Sequence, residues 1–403
     1  MKIGFLGNAN NYSFLLANEL KGKCEILFYV DARKDNFLDR PEAYFGNLIS
    51  YPYPTGFEEN FKLSKTINTY FPNLFSRKTV KTLNSCDAVI VNGYGHFYLP
   101  FLRKKIISIS VFSGSDLDVS CNWETKRAMV SSEKNYFIRI RKLITLYYAH
   151  SILKRSVFKT NLVSYFPKSL YPASDKILAT FKKGKPFERY EHMHLSVIGI
   201  GYMPPPNQQV IKIFNAARFV WKKPLPSYMT EADNKRNDIM IRGMAKFIIN
   251  TATPLDINFV EKGVDVVATR QLIKELGIEK YVTWHKNMPH SNFLDMLADS
   301  DIITDSLNSH VIGGGAFGML VGRPMIANAI PEIVKKITGV DSEICHAETA
   351  DDVFEWLQKL VFDKAFREAK GKASRDYIIR HHNLAAEANY FFDFIQKKLN
   401  SDN

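Results

Sequence analysis

The chain has 403 residues, 46% of them apolar, and a formal net charge of +13. That length exceeds what one hydrophobic core usually serves, so two domains are expected, and the ordinary apolar fraction excludes a disordered or low-complexity chain. No apolar run reaches the ~18–20 residues of a membrane span. The N-terminal stretch turns into a loop too soon for a signal peptide, and the cysteines (Cys24, Cys86, Cys121, Cys345) are scattered. Both features predict a reduced, cytoplasmic protein, and without a CxxC pair or neighbouring histidines they speak against zinc.

The charge is distributed unevenly. Residues 1–200 hold 29 Lys+Arg against 16 Asp+Glu, whereas residues 201–403 hold 25 of each. Residues 101–200 alone carry 18 basic and 7 acidic side chains. A one-sided field of this kind points to a polyanionic partner: an anionic membrane surface, a phosphate-bearing lipid carrier or nucleic acid. A solvated surface that keeps the chain soluble is the plainer alternative.

In chain order, residues 2–6 form a short apolar strand, followed by the turn-rich loop 7–11, a helix over 12–20 and a second strand over 24–30. Strand, loop, helix and strand in succession open a parallel α/β sheet. Residues 87–91 and 106–112 are β-branched runs of buried-strand length, each ending in a loop with glycine, at 92–96 and 113–116. Residues 134–160 read as a helix in which aromatic and aliphatic side chains alternate with Arg and Lys. Such a helix suits a membrane interface, and equally suits packing on its own sheet with a solvated basic face. The prolines in 199–207 interrupt both patterns and mark the linker. A second α/β series follows, with strands at 212–216, 256–260, 281–284, 301–304 and 324–327. Its helices lie near 238–249, 265–276, 291–298 and 315–321, and residues 352–399 are mostly helical.

In open parallel sheets, ligands bind beyond the carboxyl ends of the strands, so the residues in those loops are the site candidates. Gly313, Gly314 and Gly315 follow a strand and open a helix, where exposed N–H groups can receive an anion; a tight turn explains them as well. Arg218 and Lys235 flank the start of the second domain and can neutralise a diphosphate as it departs, although a lone Arg is more often a surface ion pair. Lys262 is a weaker cation of the same kind. His285 ends a strand where a nucleotide base can rest, and a structural histidine fits as well. On the first domain, His96 and Asp116 are candidate bases and Asp118 a partner for acceptor hydroxyls. Asp116 is also placed to cap a helix. Asp116-Leu-Asp118 has the spacing of a metal-binding pair without its context, so no metal is expected.

These blocks resemble a known family. FNAAR at 214–218, NKRND at 234–238, VEKGVDV at 260–266, LIKELGIEKYVTWHKNM at 272–288, LADSDIITD at 297–305 and GMLVGRPMIAN at 318–328 are similar to the donor domain of family-4-like bacterial glycosyltransferases. VFSGSDLD at 111–118 is similar to their HGSD-like segment. The resemblance covers roughly residues 110–330. It implies an α/β fold of two Rossmann-like domains facing a cleft (the GT-B fold): an acceptor domain over 1–200, a donor domain over 208–380 and a helix over 381–403 bracing the first. It also implies that Arg218 and Lys235 hold the donor phosphates and that the Gly7 loop, with Asn8, faces the donor. Asn10 falls to the acceptor side, and Ser309 and His310 to the donor. Two departures stand out. Phe317 and Ser309 occupy the places of the family's paired glutamates, and Ser113 replaces the histidine of HGSD; Asp305, Asn308 and His310 are the polar residues nearby.

The resulting expectation is a glycosyltransferase that moves a sugar from a nucleoside diphosphate to a lipid-linked or cell-surface glycan acceptor. It would need no metal or other cofactor and would lie in the cytoplasm or on the inner face of the membrane. A nucleic-acid acceptor, a degenerate protein that binds a nucleotide-sugar without turnover, and an epimerase on the same fold remain as alternatives.

Overall fold

The computed structural model describes residues 1–31, 39–46, 48–51, 53, 57–61, 71–131, 133–168, 170–192, 200–215, 217–226, 229, 231–308, 314–382 and 384–401. The chain divides into two compact units, one formed by Met1–Ser196 with Leu384–Asn403 and the other by Val197–Asn383.

The first unit is built on a seven-stranded sheet: β1 (Lys2–Leu6), β2 (Glu25–Asp31), β3 (Phe57–Phe61), β4 (Ala88–Asn92), β5 (Ile107–Val111), β6 (Leu162–Tyr165) and β7 (Glu188–Glu191). Their spatial order is β3-β2-β1-β4-β5-β6-β7, and every pairing is parallel. β4, β5 and β6 are buried along their whole length because helices cover both faces, so the Ser108 and Ser110 that alternate with Ile107, Ile109 and Val111 in β5 lie as deep as the apolar side chains. The last helix, Leu384–Ser401, packs on the helix Tyr12–Glu19 and buries Phe391, Phe394 and Ile395. Its buried Glu387 accepts a hydrogen bond from Ser164 Oγ on β6 at 2.7 Å.

Within this unit the helix Tyr136–Lys159 is begun by Asn135, whose side chain accepts from the Ile138 N–H at 3.1 Å. Its two halves differ. The second half is packed through Ala149, Ile152, Leu153 and Val157, and Lys159 Nζ donates to the carbonyls of Leu99, Leu102 and Arg103. In the first half no residue before Ala149 is buried: Phe137 is 81% exposed, Tyr147 70% and Ile144 67%. No described helix is long and apolar enough to cross a membrane.

The second unit carries a six-stranded sheet: β8 (Ile211–Asn215), β9 (Leu255–Val260), β10 (Val282–His285), β11 (Ile302–Thr304), β12 (Met325–Ala327) and β13 (Cys345–His346). It is again wholly parallel, in the order β10-β9-β8-β11-β12-β13. Its core joins the β8 and β9 side chains Ile213, Ile257 and Phe259 to Met240, Met244 and Phe247 of the helix Asn237–Thr251 and to Val353 and Leu357 of the helix Ala350–Phe362.

The proline-rich stretch read as a linker is bonded along this second unit. Arg323, 1% exposed, gives each of its five N–H groups to a backbone carbonyl: Nε to Ser300, Nη1 to Met203 and Val321, and Nη2 to Pro204 and Ala298. Met203 N–H returns a bond to the Val321 carbonyl at 3.1 Å. One side chain thus ties the incoming chain to the helix His290–Ala298 and to the end of the helix Gly315–Val321. Burial draws the Arg323 pKa down, but guanidinium stays charged, and planar donors in a fixed fork suit this cage better than a lysine would. Arg323→Leu leaves five carbonyls to find new donors. We expect it to lower the unfolding free energy of the second unit by about 3 kcal/mol, read by calorimetry or urea unfolding. A change below about 0.5 kcal/mol would show that the carbonyls are otherwise satisfied.

Candidate functional site

In each sheet the strand order reverses beside the first strand of its unit, at β1/β4 and at β8/β11, and the loops leaving those strands enclose the crevice where such folds receive ligands. In the second unit β8 ends at Asn215, whose side chain accepts from Thr304 Oγ1 of β11 at 3.2 Å and donates to the Ala217 carbonyl at 2.9 Å. Arg218 follows, more than a third exposed, and is paired with Asp233. Lys235 is half-buried and its backbone is sewn to both neighbours, N–H to the Val220 carbonyl at 2.6 Å and carbonyl to the Leu307 N–H at 3.1 Å. Burial pulls the Lys235 pKa down; Asp305 pushes it up, Arg218 pulls it down and Asp233 pushes it up. Arg218 and Lys235 therefore share one electrostatic neighbourhood with two carboxylates.

The glycine-rich stretch is arranged differently from the expectation. Asp305 Oδ2 accepts the Gly315 N–H at 2.8 Å, so a resident carboxylate already satisfies that amide and takes it out of an anion cradle. Gly314 precedes the helix with helical backbone angles; Gly313, Ser309 and His310 lie outside the described residues. Phe317, at one of the family's glutamate places, packs in an aromatic cluster with His290 and Phe293.

The ends of β9 and β10 form the far side of this rim. The Lys262 carbonyl accepts from the Phe219 N–H at 2.7 Å, while its side chain is exposed. Gly263 follows with φ +119°, and an added Cβ would lie 2.1 Å from the Phe219 carbonyl oxygen, so only glycine lets the two loops cross. The His285 carbonyl accepts from the Glu261 N–H at 2.8 Å, and its ring Nε2 lies 2.7 Å from Asn258 Oδ1. Arg270 stacks over Trp284 at 4.3 Å and pairs with Glu261.

In the first unit the loop after β1 crosses the loop after β4. Gly7 has φ +83°, and a Cβ there would sit 1.9 Å from the Asn92 carbonyl oxygen. Asn8 is buried and builds the loop: it donates to Asn11 Oδ1 and the Asp39 carbonyl and accepts from the Phe14 N–H. Asn10 is exposed at φ 55°. His96 is 1% exposed, stacks on Phe112 at 4.3 Å and lies with Nδ1 2.7 Å from the Gly93 carbonyl. Since a carbonyl only accepts, Nδ1 carries the proton. Burial drives the imidazolium down to about 4, with Gly93 acting in the opposite sense, so His96 is a poor base and is sealed from solvent. Asp118, expected to meet an acceptor, receives the hydroxyls of Tyr165 and Ser174 on Oδ1 and joins β6 to the helix Pro172–Phe181.

Asp116 lies on the same rim. Its carboxylate accepts the Ser113 N–H at 2.9 and 3.1 Å and so caps the short helix Ser115–Asp118. Burial nonetheless pushes the carboxyl up to about 7; the Ser113 N–H opposes it and nearby Asp118 adds to it. Asp233 and Asn258 are site residues that the sequence reading passed over. The one visible trace of Asn258 is Asp256-Ile-Asn258, polar residues on alternate positions of an otherwise apolar strand.

A carboxyl whose folded pKa exceeds its unfolded value stabilises the protein fully below the unfolded value and loses that contribution as pH rises through the folded one. Asp116 should thus favour the fold near pH 4 and cease to do so by about pH 7. Melting temperatures of wild type and Asp116→Asn from pH 4.5 to 8 should diverge in favour of the variant as pH rises. Parallel curves would place the Asp116 pKa in the ordinary carboxylate range.

No protein-family model matches the sequence, and no curated protein matches it. Solved structures do match. The sucrose-phosphate synthase of Thermosynechococcus elongatus superposes with a TM-score of 0.59 at 12% identity, covering 100% of both chains. An α-glucosyltransferase in complex with UDP-glucose and DNA containing an abasic site gives 0.59 at 11% identity, over 98% of this chain and 99% of that one. WaaG, a glycosyltransferase involved in lipopolysaccharide biosynthesis, gives 0.56 at 13% identity, over 98% and 99%. With all strands parallel and both sheets wound outward from their first strand, the chain has the fold of these glycosyltransferases, the GT-B fold.

Proposed function

We propose that the protein is a glycosyltransferase that moves a sugar from a nucleoside diphosphate to a lipid-linked or cell-surface glycan acceptor without a metal ion. The observation that carries this reading is the pair Arg218 and Lys235 at the strand-order reversal of the second unit, in a chain with this fold. Both cations are partly withdrawn from water, where their field is screened least, and both already face carboxylates that a diphosphate can replace. As the bond from the anomeric carbon to the diphosphate breaks, negative charge grows on the leaving oxygen, and these cations stabilise it there. The acceptor hydroxyl forms the new bond to that carbon as it gives up its proton to a base, for which Asp116, raised toward neutral pH, is the candidate in the first unit.

The exposed, basic half of the helix Tyr136–Lys159 supports an anionic membrane as the place where the acceptor is met. Arg139, Arg141 and Lys142 lie among Phe137, Ile140 and Ile144 there. A second reading, a protein that binds a nucleotide-sugar without transferring it, is favoured by one observation: Phe317 sits in an aromatic cluster where the resembled enzymes place an acidic side chain.

A thermal-shift panel of UDP, GDP, ADP, CDP and dTDP should reveal at least one stabilising nucleotide, unchanged by EDTA. A ligand at ~100 times its Kd adds about 2.7 kcal/mol. Arg218→Ala and Lys235→Ala should each abolish that shift, whereas Asp116→Asn should keep it and lose transfer by at least about 100-fold. Stabilisation without transfer to any acceptor would favour the non-catalytic reading, and the absence of any shift would sink both.

In sedimentation with lipid vesicles, the protein should bind those containing anionic lipid and not neutral ones. A Phe137→Glu, Ile144→Glu double variant should lose most of that binding. Tighter binding to DNA than to vesicles of equal charge would instead point to a nucleic-acid acceptor.

A further inference from the structure

At the end of β10, three residues decide where one proton sits. Asn258 Nδ2 donates to Asp256 Oδ1 at 2.8 Å and to the Asp256 carbonyl at 3.3 Å. Both of those atoms only accept, so the amide end of Asn258 must face them and its oxygen must face His285. Asn258 Oδ1 lies 2.7 Å from His285 Nε2. An amide oxygen accepts, so Nε2 carries the hydrogen, and in the neutral ring Nδ1 is left as a lone-pair acceptor. No described residue bonds Nδ1, and the ring is half-buried at the tip of the edge strand. The tautomer is set from behind, as the outward partner of a metal-binding histidine sets its ring.

The position of this acceptor matters because of the sheet. β10 lies two strands from β8, after which Arg218 follows, and neighbouring strands are spaced about 4.8 Å apart, so the ends of these two strands are about 10 Å apart across the rim. The loops between are tied in sequence, Phe219 N–H to the Lys262 carbonyl and Glu261 N–H to the His285 carbonyl, so that separation is held by backbone bonds. A nucleoside diphosphate with its phosphates on Arg218 and Lys235 and its ribose along the β9 loop brings its base to His285.

We propose that His285 reads the base of the donor as a fixed hydrogen-bond acceptor, selecting nucleoside diphosphates whose base carries an imino N–H (uracil, thymine or guanine) over cytosine and adenine. The inference rests on the reading of this rim as the donor site. Uracil and thymine present N3–H and guanine N1–H at the matching edge; cytosine and adenine present a lone pair there, which would face the lone pair of Nδ1. A half-buried acceptor that meets another acceptor loses its bond and its solvation together, and a site built around an N–H rejects ligands that lack one. Asn258 acts through His285, as a positioning residue.

The test compares matched pairs, UDP with CDP and GDP with ADP, by titration calorimetry on the full chain. In wild type, the imino-bearing member of at least one pair should bind about tenfold or more tightly than its partner. His285→Leu should bring each pair within about twofold, whereas Arg218→Ala should weaken all four nucleotides alike. Nitrogen-15 spectra of the wild-type imidazoles, which need no variant to fold, should show His285 protonated at Nε2. CDP or ADP bound as tightly as its partner, or a proton on Nδ1, overturns the assignment while leaving the donor site standing. Failure of every nucleotide to bind overturns the donor reading and this inference with it.

Discussion

Every strand pairing in both sheets is parallel, and this constraint governs the rest of the molecule. A parallel strand cannot be followed by a tight hairpin; the chain must travel back over the face of the sheet before it can pair again. All carboxyl ends in a sheet therefore share one edge, and the residues just beyond them are thrown together whatever their distance in sequence. Arg218 and Asp305 are 87 positions apart yet act on the same lysine because β8 and β11 are neighbours. His96 and Asp116 likewise meet over Gly93 because β4 and β5 are paired.

The two rims differ in how they hold charge. In the second unit, cations sit beside carboxylates that have other bonds to fall back on: Asp305 also caps Gly315. In the first unit, buried titratable groups are pushed toward their neutral forms, His96 as imidazole and Asp116 close to the midpoint of its titration at neutral pH. Neutrality suits groups that lie in apolar surroundings.

Much of this architecture was legible in the amino-acid order. β1, β4 and β5 announce themselves as apolar-rich runs before glycine-bearing loops, and β2, β8, β9, β11 and β12 as apolar-rich runs of strand length. Two of the edge strands were not legible: β7 is Glu-Arg-Tyr-Glu and β13 only Cys-His, and neither carries a pattern that exceeds its neighbours'. β6 hides behind the long helix that precedes it. Among the site residues, Arg218, Lys235 and His285 stood out by position, and Asp116 by its segment. What Asn8 and Asp118 do is set by Asp39, Tyr165 and Ser174, which are tens of residues away, so no local motif reveals it. The five-fold use of Arg323 was hidden for the same reason, inside a Gly-Arg-Pro that looks like a turn.

The helix Leu384–Ser401 belongs to the first unit although the whole second unit precedes it in the chain. A protein made from its N-terminus completes the residues of the second unit before it can complete the first. Until that helix emerges, the face that receives Phe391, Phe394 and Ile395 stays uncovered, and Ser164 lacks the carboxylate it will donate to. The part of the molecule that is synthesised first is therefore the part that finishes folding last.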